Sequence, residues 1–190
     1  MSEVVEESYQ KLNLGCGTDQ RQGEEWLNVD VVSECDPDVV VDLNSERWPF
    51  ADSSAEHIFA AHVFEHFEDI EHGLRECARI LEPGGTLEIH LPIGLDMQAD
   101  PDHNPWNEWS WRTPDFFTGK RHWDIDVGLT VVDRDVSLWV QQPGVFGWLQ
   151  KQKIRWLRER YGLGEWCFGL ESVSGEFRIV FKNAEDSSRS

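Results

Sequence analysis

The sequence is poor in basic residues, and this shortage limits what the protein can bind. Its 190 residues include 17 lysine and arginine residues, only 5 of them lysine, against 36 aspartate and glutamate residues, which gives a net charge of -19. Because affinity for duplex DNA depends largely on contacts of Lys and Arg with phosphates, we expect no nucleic-acid partner. Salt screens the self-repulsion of such a surface, so a salt-loving host is one explanation. A surface that avoids nucleic acid is the other.

Long apolar runs and paired cysteines are also missing. No apolar segment approaches the ~20 residues needed to cross a bilayer, and the acidic start MSEVVEESYQ is unlike a secretory signal. The four cysteines (Cys16, Cys35, Cys77 and Cys167) form no C-x-x-C pair, which disfavours a zinc ribbon and a disulfide framework. We predict a cytoplasmic, single-domain protein with free thiols, no metal and no membrane partner. Its oligomeric state is left open.

Short apolar segments separated by turn residues predict the strands of a sheet. Continuous rather than alternating hydrophobicity suits strands that are covered on both faces, as in parallel sheets. Such segments lie at residues 11–14, 26–30, 39–42, 57–61 and 86–91, and strand-like segments follow at residues 125–140 and 175–181.

Helical patterns separate several of these strands. Apolar residues recur at i, i+4, i+7 and i+11 over residues 69–81, and the Pro-Gly-Gly segment at residues 83–85 stops that helix. A second, basic helix is predicted over residues 148–161, where the positive charge suits either an anionic substrate or partner, or a solvated face. Helices that alternate with strands predict a doubly wound sheet. Residues 1–8 and 183–190 are polar and are expected to be flexible.

Two glycines and two acids follow the first three strands, at the sheet edge where doubly wound folds bind ligands. Gly15 and Gly17 allow close approach of main-chain N–H groups to an anionic group. Asp30 can accept hydrogen bonds from both hydroxyls of a ribose, and Asp42 is placed for an adenine amine. G-x-G alone indicates only a tight turn. The prediction of a ligand site therefore rests on the two glycines together with the acids that follow in order along the chain. A nicotinamide dehydrogenase would need a third glycine where Gln20 stands.

Four segments of the chain resemble, in order, the signature stretches of class I S-adenosylmethionine-dependent methyltransferases, closest to the type 11 branch. They are LNLGCG, EEWLNVD, VVVDLNSERWPFADSSAEHIFAAHVFEHF and RILEPGGTLEIHLP, and the resemblance covers residues 11–92. It implies a Rossmann-like, doubly wound, mostly parallel seven-stranded sheet with a final antiparallel strand, and S-adenosyl-L-methionine as the cofactor. The cofactor-binding residues that it implies are Asn13, Gly15, Cys16, Gly17, Asp30, Asp42, Leu43 and Ala61.

The chain departs from the superfamily at its first helix. Only 12 residues separate Gly17 from Asp30, and they lack an apolar stripe. We predict that this helix is a single turn or absent. A large contribution of a helix dipole to cofactor binding is then not expected.

Catalytic candidates follow the fourth strand. His62, Glu65 and His66 are the candidates, with either histidine as a general base. The alternative is that these residues form a polar helix start against the sheet. The histidines would need a third ligand, such as His103 or Asp102, to bind a metal, and we expect none.

The segment after the fifth strand is predicted to cover the substrate. It spans residues 93–124, and its candidate substrate contacts are His103, Trp106 and Arg112. The alternative is a hydrophobic cluster that packs this long loop against the sheet. We predict methyl transfer to an O, N or C atom of a small molecule. The alternatives are a non-catalytic module that binds cofactor or a partner, and a nucleic-acid or protein methyltransferase.

Overall fold

The structure is a computed structural model, and it describes residues 9–94, 109–140, 144–164 and 174–184. The strands are β1 (Lys11–Leu14), β2 (Trp26–Asp30), β3 (Val39–Val40), β4 (Ala55–Ala61), β5 (Leu81–Gly94), β6 (Leu129–Trp139) and β7 (Ser174–Asn183). The α-helices are α1 (Ile70–Ile80), α2 (Thr113–Phe116) and α3 (Gly144–Tyr161), and short 3-10 helices lie at Ser33–Cys35 and Phe64–His66.

All seven strands form one sheet in the order β3-β2-β1-β4-β5-β7-β6. Strands β1 to β5 pair in parallel, whereas β7 pairs antiparallel with both β5 and β6. The predicted mostly parallel, seven-stranded α/β sheet with a final antiparallel strand is therefore confirmed. The strand order reverses between β1 and β4, and ligands of such sheets bind beyond the carboxyl ends of the strands at that point.

One face of the sheet carries the hydrophobic core. Leu12 and Ile58 are fully buried on neighbouring strands, as are Leu87 and Ile89 on β5 and Ile179 on β7. Helix α1 packs on β5 and contributes its own buried residues to the core. Burying such aliphatic side chains contributes about 1.5–3 kcal/mol each. This packing fixes the positions of the loops at the carboxyl ends of the strands.

The opposite face of the sheet is half-buried and more polar. It carries His57 and Phe59 on β4, Glu88 and His90 on β5, and Glu176 on β7, all of intermediate exposure. Side chains alternate across a strand, so β4, β5 and β7 each present one fully buried and one polar face. The continuous hydrophobicity that we expected for strands covered on both faces does not hold for this part of the sheet.

Helix α1 confirms the amphipathic pattern predicted over residues 69–81. Asp69 is its N-cap, and the carboxylate accepts a hydrogen bond from His72 N at 3.1 Å. The helix ends at Ile80 and β5 begins at Leu81, so the Pro-Gly-Gly segment that was predicted to stop the helix lies within the bounds of β5. The register between β4 and β5 shifts at this segment, because Ala55 pairs with Leu81 before regular pairing resumes at His57.

Several predictions fall at or beyond the limits of the described residues. Residues 1–8 and residues 95–108 of the predicted substrate-covering segment, which include His103 and Trp106, lie outside them. Asn183, which we placed in a flexible tail, is instead the last residue of β7, and its Nδ2 donates to the Leu81 carbonyl at 2.8 Å. Among the described residues, no helix is long and apolar enough to cross a membrane.

Candidate functional site

A cavity of about 250 Å³ lies where the carboxyl ends of β1, β2 and β4 meet. This is the point at which the strand order reverses. The cavity is lined by Gly15, Asp30, Val31, Val41, Asp42, Leu43, Asn44, His62, Val63, His66 and Phe67. Four of the predicted cofactor residues and two of the predicted catalytic residues therefore share one cavity.

The turn after β1 places the main chain of a glycine, without a covering side chain, at the cavity. Gly15 has φ +59°, and a Cβ at this position would lie 2.4 Å from Cγ2 of Val63. Gly15 is thus required both by its left-handed backbone and by its close approach to Val63. Gly17 has φ +46°, and a Cβ added there would meet no atom within 4 Å, so only its backbone conformation favours glycine.

Asp30 ties the end of β2 to this turn. One carboxylate oxygen accepts a hydrogen bond from Gly17 N at 2.7 Å, and the other accepts one from Val32 N at 2.8 Å. The residue is largely buried, at 8% exposure, yet it lines the cavity. An ionised carboxylate can accept about four hydrogen bonds. Two acceptor positions of Asp30 therefore remain for a ligand.

The far wall of the cavity is formed by the segment after β3. Asp42 is exposed, and its Oδ1 accepts a hydrogen bond from Asn44 N at 2.9 Å, which shapes the turn. Leu43 is buried, and its carbonyl accepts a hydrogen bond from the indole of Trp48 at 3.0 Å. An apolar side chain and a carboxylate thus lie side by side, an arrangement that fits the ring face and the amine of a purine.

The loop between β1 and β2 contains no helix, which confirms the prediction made from its short length. Side-chain amides order it instead. Asn13 Nδ2 donates to Asn28 Oδ1 and to the Asp19 carbonyl, both at 3.0 Å. Asn28 Oδ1 also accepts from Arg21 N at 2.8 Å, while Asn28 N donates to a carboxylate oxygen of Asp38 at 2.6 Å. Asn13 therefore stabilises the loop through these hydrogen bonds and is not among the residues that line the cavity.

Three other predicted cofactor residues lie beside the cavity rather than in its lining. They are Cys16, Gly17 and Ala61. Burial, together with the nearby charge of Asp30, raises the pKa of the Cys16 thiol to about 11. The Cys16 side chain therefore stays protonated at neutral pH. Its contribution to the turn is the hydrogen bond from its N–H to the Val29 carbonyl at 3.0 Å.

His62 stands at the cavity between two carboxylates. Its Nδ1 lies 3.5 Å from Glu65 Oε1, and its Nε2 lies 3.7 Å from Glu176 Oε1. The Glu176 carboxylate also contacts His90 Nδ1, at 2.9 Å. His62 has φ +57°, a conformation that costs a non-glycine residue about 1–2 kcal/mol. Such strain is often found at functional positions.

Glu65 is the most buried of the catalytic candidates, at 1% side-chain exposure. It does not line the cavity, and within the described part of the chain neither of its oxygens has a hydrogen-bond donor. A buried carboxylate is costly unless a positive or donor group faces it. Its geometry suits orientation of His62 better than direct contact with a ligand. His66 does line the cavity.

The described part of the predicted substrate-covering segment lies away from the cavity lining. Arg112 is exposed at the start of α2 and is not a cavity residue. Trp109 is buried, with its ring centroid 6.2 Å from that of Phe64, and Trp111 lies 5.8 Å from Phe177. For these two tryptophans the alternative interpretation, a hydrophobic cluster that packs the loop, describes the contacts.

Several residues in or near the cavity escaped the sequence analysis. Val31 and Phe67 supply apolar wall, and no local motif marks them. Glu176 lies 114 positions beyond His62 in the chain, and only the β5–β7 pairing brings the two together. No three His, Cys, Asp or Glu side chains in the described ranges are grouped so that they could hold a metal ion.

Comparison with known proteins adds to this geometry. Residues 12–89 match the family model of a methyltransferase domain. A curated relative, methyltransferase tpcH of Aspergillus fumigatus, is 33% identical over 92 residues, which cover 43% of this chain and 29% of that protein. The chain thus matches less than a third of the length of this relative.

Solved structures share the fold at low sequence identity. An S-adenosylmethionine-dependent methyltransferase of Archaeoglobus fulgidus superposes with a TM-score of 0.58 at 15% identity, covering 93% of this chain and 87% of that one. A chain from the complex of the Haloferax volcanii Trm112 methyltransferase activator with a methyltransferase gives 0.57 at 20% identity, covering 96% and 84%. At these identities the likeness concerns the fold alone.

Proposed function

We propose that this chain, a class I methyltransferase by its domain at residues 12–89 and by its fold, moves the methyl group of S-adenosyl-L-methionine to an acceptor. The acceptor that we propose is a small molecule. The observation that carries the proposal is the placement of Asp30, whose carboxylate clamps the glycine turn and faces the cavity at once.

The residues present fit the cofactor. Asp30 keeps two acceptor positions, which suits the paired hydroxyls of a ribose. Asp42 and Leu43 form the wall proposed for adenine, and Gly15 exposes main chain. The volume of about 250 Å³ lies just below the ~300–1,000 Å³ of common ligand pockets. We therefore assign the nucleoside part of the cofactor to the cavity.

The bound cofactor supplies a methyl group that is already activated by a sulfonium, so alignment of the acceptor is the main task of the protein. Such alignment can contribute about 7–11 kcal/mol. His62 lies at the cavity and can receive a proton from the acceptor. The carboxylates of Glu65 and Glu176 on either side of its ring favour the resulting imidazolium. Of the three catalytic candidates, we assign the proton transfer to His62 and the orientation of its ring to Glu65.

The test separates binding from turnover. Calorimetry in high salt should show binding of S-adenosylhomocysteine, and failure to bind would remove the proposal. Labelled-methyl transfer to a panel of small acceptors should then show turnover. His62→Asn keeps a residue that tolerates positive φ and should lower turnover by about 10²–10⁴ while cofactor binding persists. His122→Asn, at an exposed histidine outside the cavity, is the matched control.

Other assignments are separated by the same assays. A non-catalytic module would bind the cofactor without turnover on any acceptor. Labelled methyl on host RNA or protein would identify a macromolecular acceptor instead. Co-purification from a salt-adapted host would test for an activator such as the Trm112 protein of the Haloferax volcanii complex. The cytoplasmic location and the salt adaptation stay predictions, which fractionation and activity in graded salt would test.

A further inference from the structure

A series of titratable side chains leads from His62 across the half-buried face of the sheet. The carboxylate of Glu176 lies between two histidines, with Oε1 at 3.7 Å from His62 Nε2 and Oε2 at 2.9 Å from His90 Nδ1. On the far side of its ring, His90 Nε2 lies 2.8 Å from Glu88 Oε1. The four side chains therefore follow one another in the order His62, Glu176, His90 and Glu88.

The pairing of the strands fixes these side chains relative to one another. Ala61 pairs with His90 in the register of β4 and β5, and the next residue, His62, donates from its N–H to the His90 carbonyl at 2.9 Å. Glu176 on β7 pairs with Pro92, two residues beyond His90. Residues two apart on a strand share a face of the sheet, so Glu176 lies diagonally across from His90.

The two short contacts of His90 indicate which protons its ring carries. An ionised carboxylate only accepts hydrogen bonds, and a neutral imidazole has a single N–H. Contacts of 2.9 Å and 2.8 Å at the two ring nitrogens are hydrogen bonds to two ionised carboxylates only when the ring is an imidazolium. The side chain of His90 is 18% exposed, and partial shielding from water strengthens these charge interactions.

His62 needs a nearby cation if it is to act as a base. Its ring faces the carboxylates of Glu65 at 3.5 Å and of Glu176 at 3.7 Å. Negative charge at this distance favours the protonated form of a histidine, which has no lone pair left to accept a proton. Other titratable groups line the same cavity, namely Asp30, Asp42 and His66. Part of the negative charge around His62 must therefore be neutralised.

The charged groups around His90 show where that neutralisation takes place. Arg178 on β7 lies 3.8 Å from Glu88, and it also donates to Asp133 on β6. On β4, the ring facing His90 is the uncharged Phe59, with 5.2 Å between the ring centroids. Glu88 thus has two cations beside it, and His90 is the cation that also reaches the glutamate shared with His62.

We propose that His90 is a positioning residue for His62: its imidazolium, held by Glu88, fixes Glu176 and takes up part of its charge, so that His62 stays neutral until it receives a proton. One proton passes from the acceptor to His62, and His90 keeps both of its own. Glu176 then also faces the imidazolium that forms at His62. This role rests on the proposed function, because it presumes that His62 is the base.

Titration of the His62 ring by NMR tests this role without cofactor or acceptor, and the spectrum of His62→Asn assigns the resonance. His90→Gln removes the cation and should raise the pKa of His62 by about one pH unit. Glu176→Gln removes the carboxylate and should lower that pKa. His90→Lys restores a positive charge beside Glu176 and should return the pKa toward its native value. An unchanged pKa of His62 in either His90→Gln or Glu176→Gln would overturn the proposal.

A double variant shows whether His90 acts through Glu176. In a chain that already carries Glu176→Gln, the further change His90→Gln should move the pKa of His62 by less than it does in the native chain. An equal shift in both backgrounds would mean that His90 acts on His62 directly, and the positioning role would be wrong.

A matched control and a separate binding assay complete the test. His57→Gln changes a histidine on the same face of the sheet, whose Nδ1 contacts the Thr86 hydroxyl at 2.8 Å, and it should leave the titration of His62 unchanged. In His90→Gln, the acidic limb of the kcat/KM profile for methyl transfer should move to higher pH together with the pKa of His62. If the titrations behaved as expected but S-adenosylhomocysteine did not bind, the proposed function would fail and the control of His62 by His90 would stand.

Discussion

Replacing Asp30 by Asn is the most informative single change in the proposed cofactor site. The substitution keeps the shape of the side chain and removes its charge. The carboxylate now accepts hydrogen bonds from Gly17 N at 2.7 Å and from Val32 N at 2.8 Å. An amide offers only one oxygen, so its NH₂ group must face one of these two N–H donors. The variant loses at least one charge-assisted hydrogen bond inside the fold.

The magnitude follows from the hydrogen bonds that are lost. Each hydrogen bond to a charged group contributes about 1.5–3 kcal/mol, so the free energy of unfolding should fall by about 2–3 kcal/mol. Cofactor binding loses a similar contribution, because the spare acceptor positions proposed for the ribose hydroxyls are weakened. Since 1.4 kcal/mol corresponds to a factor of ten, the dissociation constant for S-adenosylhomocysteine should rise about tenfold to hundredfold.

The assay is calorimetric titration in high salt, at a temperature where thermal unfolding shows the variant to be folded. Asp36→Asn is the control, since Asp36 is exposed, lies outside the cavity and has a left-handed backbone that Asn adopts readily. It should bind as the native chain does. If Asp30→Asn lowered thermal stability but left the dissociation constant unchanged, Asp30 would be a clamp for the turn and not the ribose acceptor.

Two further predictions concern the turn and the support of the core. Gly15→Ala should lower the free energy of unfolding by about 1–2 kcal/mol, because alanine disfavours the left-handed backbone at this position. It should also weaken S-adenosylhomocysteine binding, because the new Cβ would lie 2.4 Å from Val63. Native-like melting and binding would contradict this prediction. Burial raises the pKa of the Glu76 carboxyl, but hydrogen bonds from Arg79 and from Trp48 N lower it by more than burial raises it. The net shift of this pKa is therefore downward. The stabilisation by Glu76 is therefore present above the pKa of the unfolded state and is lost as the pH falls through the pKa of the folded state. At pH 7 the free energy of unfolding of the native chain should exceed that of Glu76→Gln by about 1–3 kcal/mol. This difference, measured by urea unfolding, should shrink below about pH 4.

The sheet and the place of the candidate cavity could be predicted because their signals are local. Strands β1, β2 and β4 are short apolar segments, and each ends at or directly before a residue of the cavity. Parallel strands bring those ends to one edge, so the sequence order alone placed Gly15, Asp30 and Asp42 together. The amphipathic period of α1 was equally local, and so was the shortness of the loop that holds no helix.

What could not be predicted depends on contacts between distant parts of the chain. Glu176 reaches His62 because β7 inserts between β5 and β6, and no pattern within β7 specifies that neighbour. The family resemblance implied Asn13 as a cofactor-binding residue, and this stays a prediction. Its side chain donates to Asn28 Oδ1 on the adjacent strand, a pairing that appears only once the register of β1 and β2 is known.

These long-range contacts explain how the candidate site forms although the loop between β1 and β2 contains no helix. A helix at this place would orient main-chain N–H groups and hold the glycine turn by its own hydrogen bonds. Here the buried amides of Asn13 and Asn28 take over that task, and Asp38 fixes Asn28 in turn. Side-chain amides supply fixed hydrogen bonds but little long-range field, so an anionic end of the proposed cofactor would gain less from electrostatics. More of the binding energy would then come from the proposed ribose contact, which is why the proposal depends most on Asp30.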